Sequence, residues 1–202
     1  MDNVNFNTYI ITSDDISLKS QFKYLKKLKN YKYREELAIQ IRFNKLSDKE
    51  ITRFSKELKE ELNDIKILIN NRVDLMTKCY LDGVHFKDDN KNIEIKKYQK
   101  QGKIFLKSTH SLQSIKDAQR LTLDAITYGP IFETPSKLKY GKPNGYELIK
   151  NNDFKIPIFA LGGLNLNNIA ELKKYFYGVS AIRLFINEDI IKNLNKRREI
   201  WK

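Results

Sequence analysis

Short apolar runs and helical patterns alternate along the chain from one end to the other. Eight runs of mainly apolar, partly β-branched residues have the length and composition of buried strands. They cover residues 9–11, 37–41, 67–69, 83–86, 104–106, 125–128, 156–161 and 179–184. Polar residues or glycines follow most of these runs, so the pattern predicts eight strands whose ends carry the reactive groups of the chain.

Helical patterns fill most of the intervals between the runs. The clearest begins at Ser47, where Glu50 completes a capping box and a stripe of apolar residues follows at spacings of three and four. Weaker patterns predict helices near residues 18–28, 72–80, 93–99, 111–121, 146–149, 165–176 and from 190 onwards. Strand and helix therefore alternate along the whole chain.

The spacing of the strands decides between the α/β architectures. Successive strands begin roughly 24 residues apart, which suits a minimal eightfold barrel, whereas a doubly wound open sheet usually has fewer strands. No internal stretch is enriched in Pro, Gly or Ser as a linker would be. The sequence predicts that residues 1–202 form a single (β/α)8 TIM-barrel domain.

The charge balance changes this picture little. The chain carries 38 Lys plus Arg against 25 Asp plus Glu, a net charge of +13. Most lysines lie between the apolar positions of helical patterns, as Lys19, Lys23 and Lys26 do, where they would line a solvated helix face. Because no aromatic and basic recognition motif accompanies them, nucleic-acid binding is not favoured.

The number of cysteines and the length of the apolar runs bear on the cellular compartment of the protein. Cys79 is the only cysteine, which excludes an intramolecular disulfide framework and a cysteine-based metal cluster. No apolar run approaches the length of a membrane span, and the first residues lack the pattern of a secretory signal. We expect a cytoplasmic protein with no membrane partner, and homo-oligomerisation is left open.

Polar residues follow the strands at positions that a barrel would bring together on one rim. The candidates are Arg42, Asn70, Asp88, Ser108, His110, Thr134, Lys137, Gly162, Gly163 and Arg183. In TIM barrels the active site lies at the rim formed by the carboxyl ends of the strands. Each residue alone fits an ordinary loop, so the prediction of a functional site rests on their convergence.

Gly162 and Gly163 follow the seventh strand, before a helix predicted to start near Asn165. Glycines at a helix N-terminus let backbone N–H groups approach an anion closely, and phosphate is the natural ligand. A tight strand-to-helix turn would also explain them. Ile182 and Arg183, after the eighth strand, favour phosphate, because barrels commonly bind it between these two loops.

His110 is one of two histidines and is the candidate general base. It lies between a strand and a helix that Ser111 can cap, where the helix dipole disfavours a protonated ring. His85 lies inside an apolar strand pattern and is interpreted as structural. No paired acid at a recognisable position supports a nucleophilic triad.

Five motifs in order resemble the thiamine phosphate synthase and TenI thiazole tautomerase superfamily. They are residues 67–74, 82–85, 108–112, 128–134 and 160–163, and residues 40–42 resemble its Gln-x-Arg element. The resemblance covers about two-thirds of the chain and implies the eightfold barrel that the spacing predicts independently. It also implies that His110 matches the catalytic histidine of the family.

The synthase branch joins a pyrimidine pyrophosphate to a thiazole phosphate with magnesium held by carboxylates after strands three and four. At the matching positions this chain has Asn71 and Asn90. Neutral amides remove most of the charge that a hard dication requires. The lysine expected two residues past Arg42 is Asn44, and Arg183 replaces a serine near the end of strand eight.

The tautomerase branch needs no metal or other cofactor, and the sequence favours it. The implied reaction is aromatisation of a dihydrothiazole carboxylate phosphate, supplied by a thiazole synthase that could contact this chain transiently. His110 would move the proton. The other implied roles are substrate binding by Arg42, Asn70, Ser108, Thr134 and Lys137, and phosphate binding by Gly162, Gly163, Ile182 and Arg183.

Two alternatives to the tautomerase stay open. One is a thiamine phosphate synthase, for which magnesium would be the cofactor. The other is a non-catalytic barrel that kept the phosphate site and binds a thiazole phosphate without turnover.

Overall fold

Eight parallel strands close into a barrel in the order in which they occur along the chain. The computed structural model describes residues 4–90, 95–134 and 142–202. The strands are β1 (Thr8–Ile11), β2 (Leu37–Ile41), β3 (Lys66–Asn70), β4 (Gly83–Phe86), β5 (Ile104–Thr109), β6 (Ala125–Tyr128), β7 (Ile158–Leu161) and β8 (Gly178–Ala181). β8 pairs with β1, which confirms the predicted (β/α)8 barrel.

Helices lie between most of the strands and pack on the outside of the barrel. They are α1 (Leu18–Lys26), α2 (Asp48–Glu61), α3 (Val73–Lys78), α4 (Lys96–Gln99), α5 (Leu112–Arg120), α6 (Glu147–Lys150) and α7 (Ile190–Trp201). The predicted caps are confirmed, because Ser47 and Glu50 form a reciprocal capping box and the Ser111 hydroxyl accepts from the Ser114 N–H. Within the described residues, no helix is long and apolar enough to cross a membrane.

One predicted helix is wrong, and several strand boundaries differ from the prediction, since β8 for example ends at Ala181 and not at residue 184. Between β7 and β8 the structure has a single 3-10 turn, Ile169–Leu172, instead of a helix over 165–176. Asn165 and Asn168 bond to nearby backbone there, which competes with helical hydrogen bonding. β5 continues to Thr109, so Ser108 lies inside the strand and not after it.

Two apolar cores flank the strands. The smaller one fills the barrel interior and consists of Phe6, Tyr9, Ala38, Leu68, Ile104, Leu106, Ala125 and Phe159. The larger one lies between the strands and the surrounding helices. Side chains alternate between the barrel interior and the larger core along the strands, as the period of two requires.

One layer of the barrel interior is polar. Gln40, His85, Thr127 and Ser180 come from the even-numbered strands β2, β4, β6 and β8, and each is at most 2% exposed. Strand register places them on the interior side: Gln40 and Thr127 lie two residues beyond Ala38 and Ala125, while His85 and Ser180 pair with Leu106 and Tyr9. A layer built from alternate strands is usual in this fold, but bulky apolar residues normally fill it. Here the layer forms a polar floor beneath the rim.

Candidate active site

The polar floor holds two of the predicted rim residues in place. Gln40 Nε2 donates to Asn70 Oδ1 at 3.0 Å, and His85 Nε2 lies 2.9 Å from Ser108 Oγ. Asn70 is the last residue of β3, and Ser108 is near the end of β5. Because each side chain is bonded from below, both are fixed at the rim before any ligand binds.

His85 is the centre of this floor. Its Nδ1 lies 3.2 Å from the Tyr9 hydroxyl, and the two rings stack with centroids 5.7 Å apart. Burial lowers the pKa of His85 from 6.5 to about 3, and the nearby charge of Arg42 contributes to this lowering. His85 is therefore neutral at physiological pH, which agrees with its interpretation as a structural histidine.

His110 is held quite differently. It lies at the C-terminal end of β5, its ring is exposed, and its Nδ1 lies 2.5 Å from the carbonyl oxygen of Gly129. A carbonyl oxygen can only accept, so Nδ1 carries the ring proton in the neutral tautomer. Nε2 is then the nitrogen with a free lone pair, as a general base requires.

The predicted cations lie at different places on the rim. Arg42 is half-buried, and its backbone N–H donates to Thr12 Oγ1 at 2.8 Å. Its charge contributes to the lowered pKa of His85, so its side chain lies on the floor side of the rim. Arg183 is exposed and forms an ion pair with Asp15 at 3.4 Å, between the loops that follow β8 and β1. Of the two, only Arg42 is shown close to the polar floor.

Gly162 and Gly163 have positive φ angles of 98° and 70°. A Cβ on Gly162 would lie 2.8 Å from the Cα of Pro130, and one on Gly163 would lie 2.5 Å from the carbonyl oxygen of Glu133. The glycines therefore let the loop after β7 pack against the loop after β6. Since only a 3-10 turn lies between β7 and β8, the helix N-terminus predicted after these glycines is absent.

The loop after β6 contains the remaining candidates. Thr134 is the last residue of the first described part of this loop, while the predicted substrate-binding residue Lys137 lies outside the described residues. Where the chain resumes, Asn144 bonds to three carbonyl oxygens at this rim, those of His110, Gly129 and Pro130. The dipeptide Asn144-Gly145 has the composition of a simple turn, so the sequence carried no signal for this contact.

Asn71 and Asn90 occupy the positions at which the family resemblance implies magnesium ligands. Asn90 Nδ2 donates to Asn71 Oδ1 at 3.0 Å, so the two amides satisfy each other and contribute no negative charge. A hard dication prefers carboxylate oxygens, and this pair does not fit it. Across the described ranges, no group of three or more His, Cys, Asp or Glu side chains is arranged to hold a metal ion.

Comparison with known proteins gives a consistent result. The sequence matches a family model described as thiamine monophosphate synthase over residues 8–184. It is 30% identical over 197 residues to the thiamine-phosphate synthase of Clostridium tetani, covering 94% of this chain and 92% of that relative. It is 33% identical over 153 residues to a putative thiamine-phosphate synthase 2 of Aquifex aeolicus, covering 73% and 82% of the two chains.

Solved structures agree on the fold. The thiamine phosphate pyrophosphorylase of Pyrococcus furiosus superimposes with a TM-score of 0.78 at 24% identity, covering 98% of this chain and 96% of that one. The 3-hexulose-6-phosphate synthase of Salmonella typhimurium gives a TM-score of 0.71 at 12% identity, covering 97% and 98%. Likeness at such low identity shows a shared barrel, and fold alone does not fix the reaction.

Proposed function

We propose, because the chain belongs to the thiamine monophosphate synthase family, that it is an enzyme of thiamine biosynthesis that binds a thiazole phosphate at the C-terminal rim of the barrel. The match over residues 8–184 is the observation that carries this proposal. In the proposed site, Gly162, Gly163, Ile182 and Arg183 hold the phosphate. Arg42, Asn70, Ser108, Thr134 and Lys137 bind the rest of the substrate.

The names of the relatives favour the synthase over the tautomerase that the sequence favoured. Those relatives match along most of their length. In the synthase reaction the thiazole nitrogen forms a C–N bond to the pyrimidine methylene carbon, and pyrophosphate leaves. Arg42 and Lys137 are the cations proposed to balance the charge of that leaving group. No step is assigned to a metal, because the Asn71–Asn90 pair does not fit one.

The tautomerase remains a second candidate because of the geometry of His110. Its Nδ1–H is committed to Gly129, which leaves Nε2 to accept a proton. In this reaction Nε2 removes the proton from the ring carbon, and the resulting imidazolium returns it to the exocyclic carbon. The step needs one base and no charge at residues 71 and 90, which fits the amide pair there.

Two assays on the purified protein separate the candidates. The first supplies the pyrimidine pyrophosphate and the thiazole phosphate, with and without Mg²⁺, and measures thiamine phosphate. The second supplies the dihydrothiazole carboxylate phosphate and follows the aromatic absorbance. A synthase gives product only in the first assay. A double variant with Asn71→Asp and Asn90→Asp should then be faster than wild type in the presence of Mg²⁺.

A tautomerase gives product only in the second assay, independently of Mg²⁺, and His110→Gln lowers its rate by about 10²–10⁴-fold. Binding of thiazole phosphate without turnover in either assay would support the non-catalytic barrel instead. Absence of both turnover and thiazole phosphate binding would overturn the proposed function.

A further inference from the structure

The side-chain amide of Asn144 joins two backbone carbonyls that both belong to the surroundings of His110. Asn144 Nδ2 donates to the carbonyl oxygen of His110 at 3.0 Å and to that of Gly129 at 3.1 Å. The Asn144 backbone N–H also donates to the carbonyl oxygen of Pro130 at 2.8 Å. One residue therefore fastens the loop after β6 to the end of β5.

The Gly129 carbonyl is the shared element of this arrangement. It accepts from His110 Nδ1 and from Asn144 Nδ2, and a carbonyl oxygen has two lone pairs for two such donors. Asn144 occupies one lone pair of this oxygen, and the imidazole N–H of His110 occupies the other. The same amide also donates to the backbone carbonyl of His110. Asn144 therefore restrains both the ring and the backbone of this histidine.

We infer that Asn144 is a positioning residue for His110, fixing the ring orientation and the tautomer that leaves Nε2 free. The kinetic consequence rests on the proposed function, whereas the tautomer is a property of the protein alone. Asn144 does not touch the reacting atoms; it acts through Gly129. It also links the chain after β6 to the end of β5 that carries the histidine.

Asn144→Asp is the sharpest test because it preserves shape and removes both donors. A carboxylate can only accept, so at neutral pH it would face two carbonyl oxygens without a hydrogen. The matched control is Asn152→Asp, since the exposed Asn152 Nδ2 donates to the Leu148 carbonyl at 2.8 Å, away from His110. Asn144→Ala is the second variant, which removes the donors without adding charge.

The first measurement is ¹⁵N NMR of the histidine rings, which distinguishes protonated from unprotonated nitrogens. Only two histidines are present, and His110→Gln assigns the signals. We expect the wild-type protein to show His110 protonated at Nδ1. Asn144→Asp and Asn144→Ala should each shift the His110 population toward the Nε2-protonated form. Asn152→Asp should match wild type. A His110 spectrum that neither Asn144 variant changes would overturn the inference.

The second measurement is the kinetics of the tautomerase assay, because that is the reaction in which His110 moves the proton. We expect both Asn144 variants to lower kcat by about tenfold or more with KM within about twofold, as for an interaction that acts in the transition state. Equal loss of kcat in Asn152→Asp would contradict a specific role. If the NMR shift is seen while neither assay gives turnover, the positioning role stands and the proposed function fails.

Discussion

The two histidines of this chain differ in burial and in the hydrogen bonds of their rings. His85 is 2% exposed with partners on both ring nitrogens, whereas His110 is exposed with Nδ1 bonded to a carbonyl. A neutral imidazole offers one donor and one acceptor. His85 uses both in its contacts with Ser108 and Tyr9, whereas His110 uses its donor to bond the Gly129 carbonyl.

The buried His85 predicts an acid-sensitive stability. Its pKa is about 3 in the folded protein against 6.5 when solvated, so below pH 6.5 the unfolded chain binds a proton that the folded chain does not. This contribution to stability is fully present above pH 6.5 and is lost as pH falls toward 3. Between pH 6.5 and pH 5 we expect a loss of about 1–2 kcal/mol.

Urea unfolding at the two pH values measures this loss. His85→Gln keeps a hydrogen-bonding side chain and removes the titration, so the variant should lose markedly less stability over the same interval. Asn152→Ala, an exposed change that removes no titratable group, is the control and should keep the wild-type dependence on pH. An unchanged pH dependence in His85→Gln would show that other groups cause it.

Sequence patterns locate residues at the strand ends but do not show which contacts hold them there. The apolar runs locate the strand ends, and these alone place Arg42, Asn70 and His110 on one rim of a barrel. The bonds from Gln40 to Asn70 and from His85 to Ser108 depend on which strands become neighbours. Asn144 is 34 residues from His110 in the sequence, so their contact becomes evident only in the folded barrel.

At the level of elements, the loop after β7 packs closely against residues 130–133 of the loop after β6. Their backbones approach so closely that a side chain at Gly163 would overlap Phe132 and Glu133. The sequence identified the glycines and assigned them to phosphate binding, with a tight turn as the alternative. Packing between the two loops is sufficient to require them, so phosphate binding has to be tested separately.

Gly163→Ala and Gly102→Ala form a matched pair for this packing. Both glycines have φ of 70°, but nothing lies within 4 Å of a Cβ on Gly102, whereas one on Gly163 would meet the Glu133 carbonyl oxygen at 2.5 Å. The left-handed conformation costs an alanine about 1–2 kcal/mol at either site, and overpacking adds about 1–3 kcal/mol at Gly163. Equal destabilisation of the two variants in urea unfolding would show that the loops separate easily.

At the scale of the whole molecule, closure of the barrel depends on contacts between the two ends of the chain. Arg197 of α7 is 1% exposed, and its guanidinium donates to the side chain and the backbone carbonyl of Asn7. The Asn7 N–H donates to the Glu36 carbonyl at 3.0 Å, and its carbonyl also accepts from the Val179 N–H at 3.1 Å. Asn7 thus connects β1 to the residues before β2 and to β8, and α7 fixes it there.

Removing the Arg197 guanidinium should therefore weaken the closure between β1 and β8. Hydrogen bonds to a charged group contribute about 1.5–3 kcal/mol each, so we expect Arg197→Ala to lower the free energy of unfolding by about 3 kcal/mol or more. Arg197→Met keeps an apolar stem of similar length but loses the guanidinium, which lies over the Trp201 ring. It should recover part of the loss, because some of it is packing of the stem. Arg120→Ala, which removes an exposed ion pair with Asp117, should cost less than about 1 kcal/mol.

Hydrogen exchange shows whether the closure is cooperative. Because every strand of the barrel has two neighbours, opening the seam leaves both β1 and β8 with an unpaired edge. Arg197→Ala should then reduce amide protection in β1 and β8 together, while Arg120→Ala leaves both as in wild type. Loss of protection in α7 alone, with β1 and β8 unchanged, would mean that the helix frays without opening the barrel and that the strands close without its help.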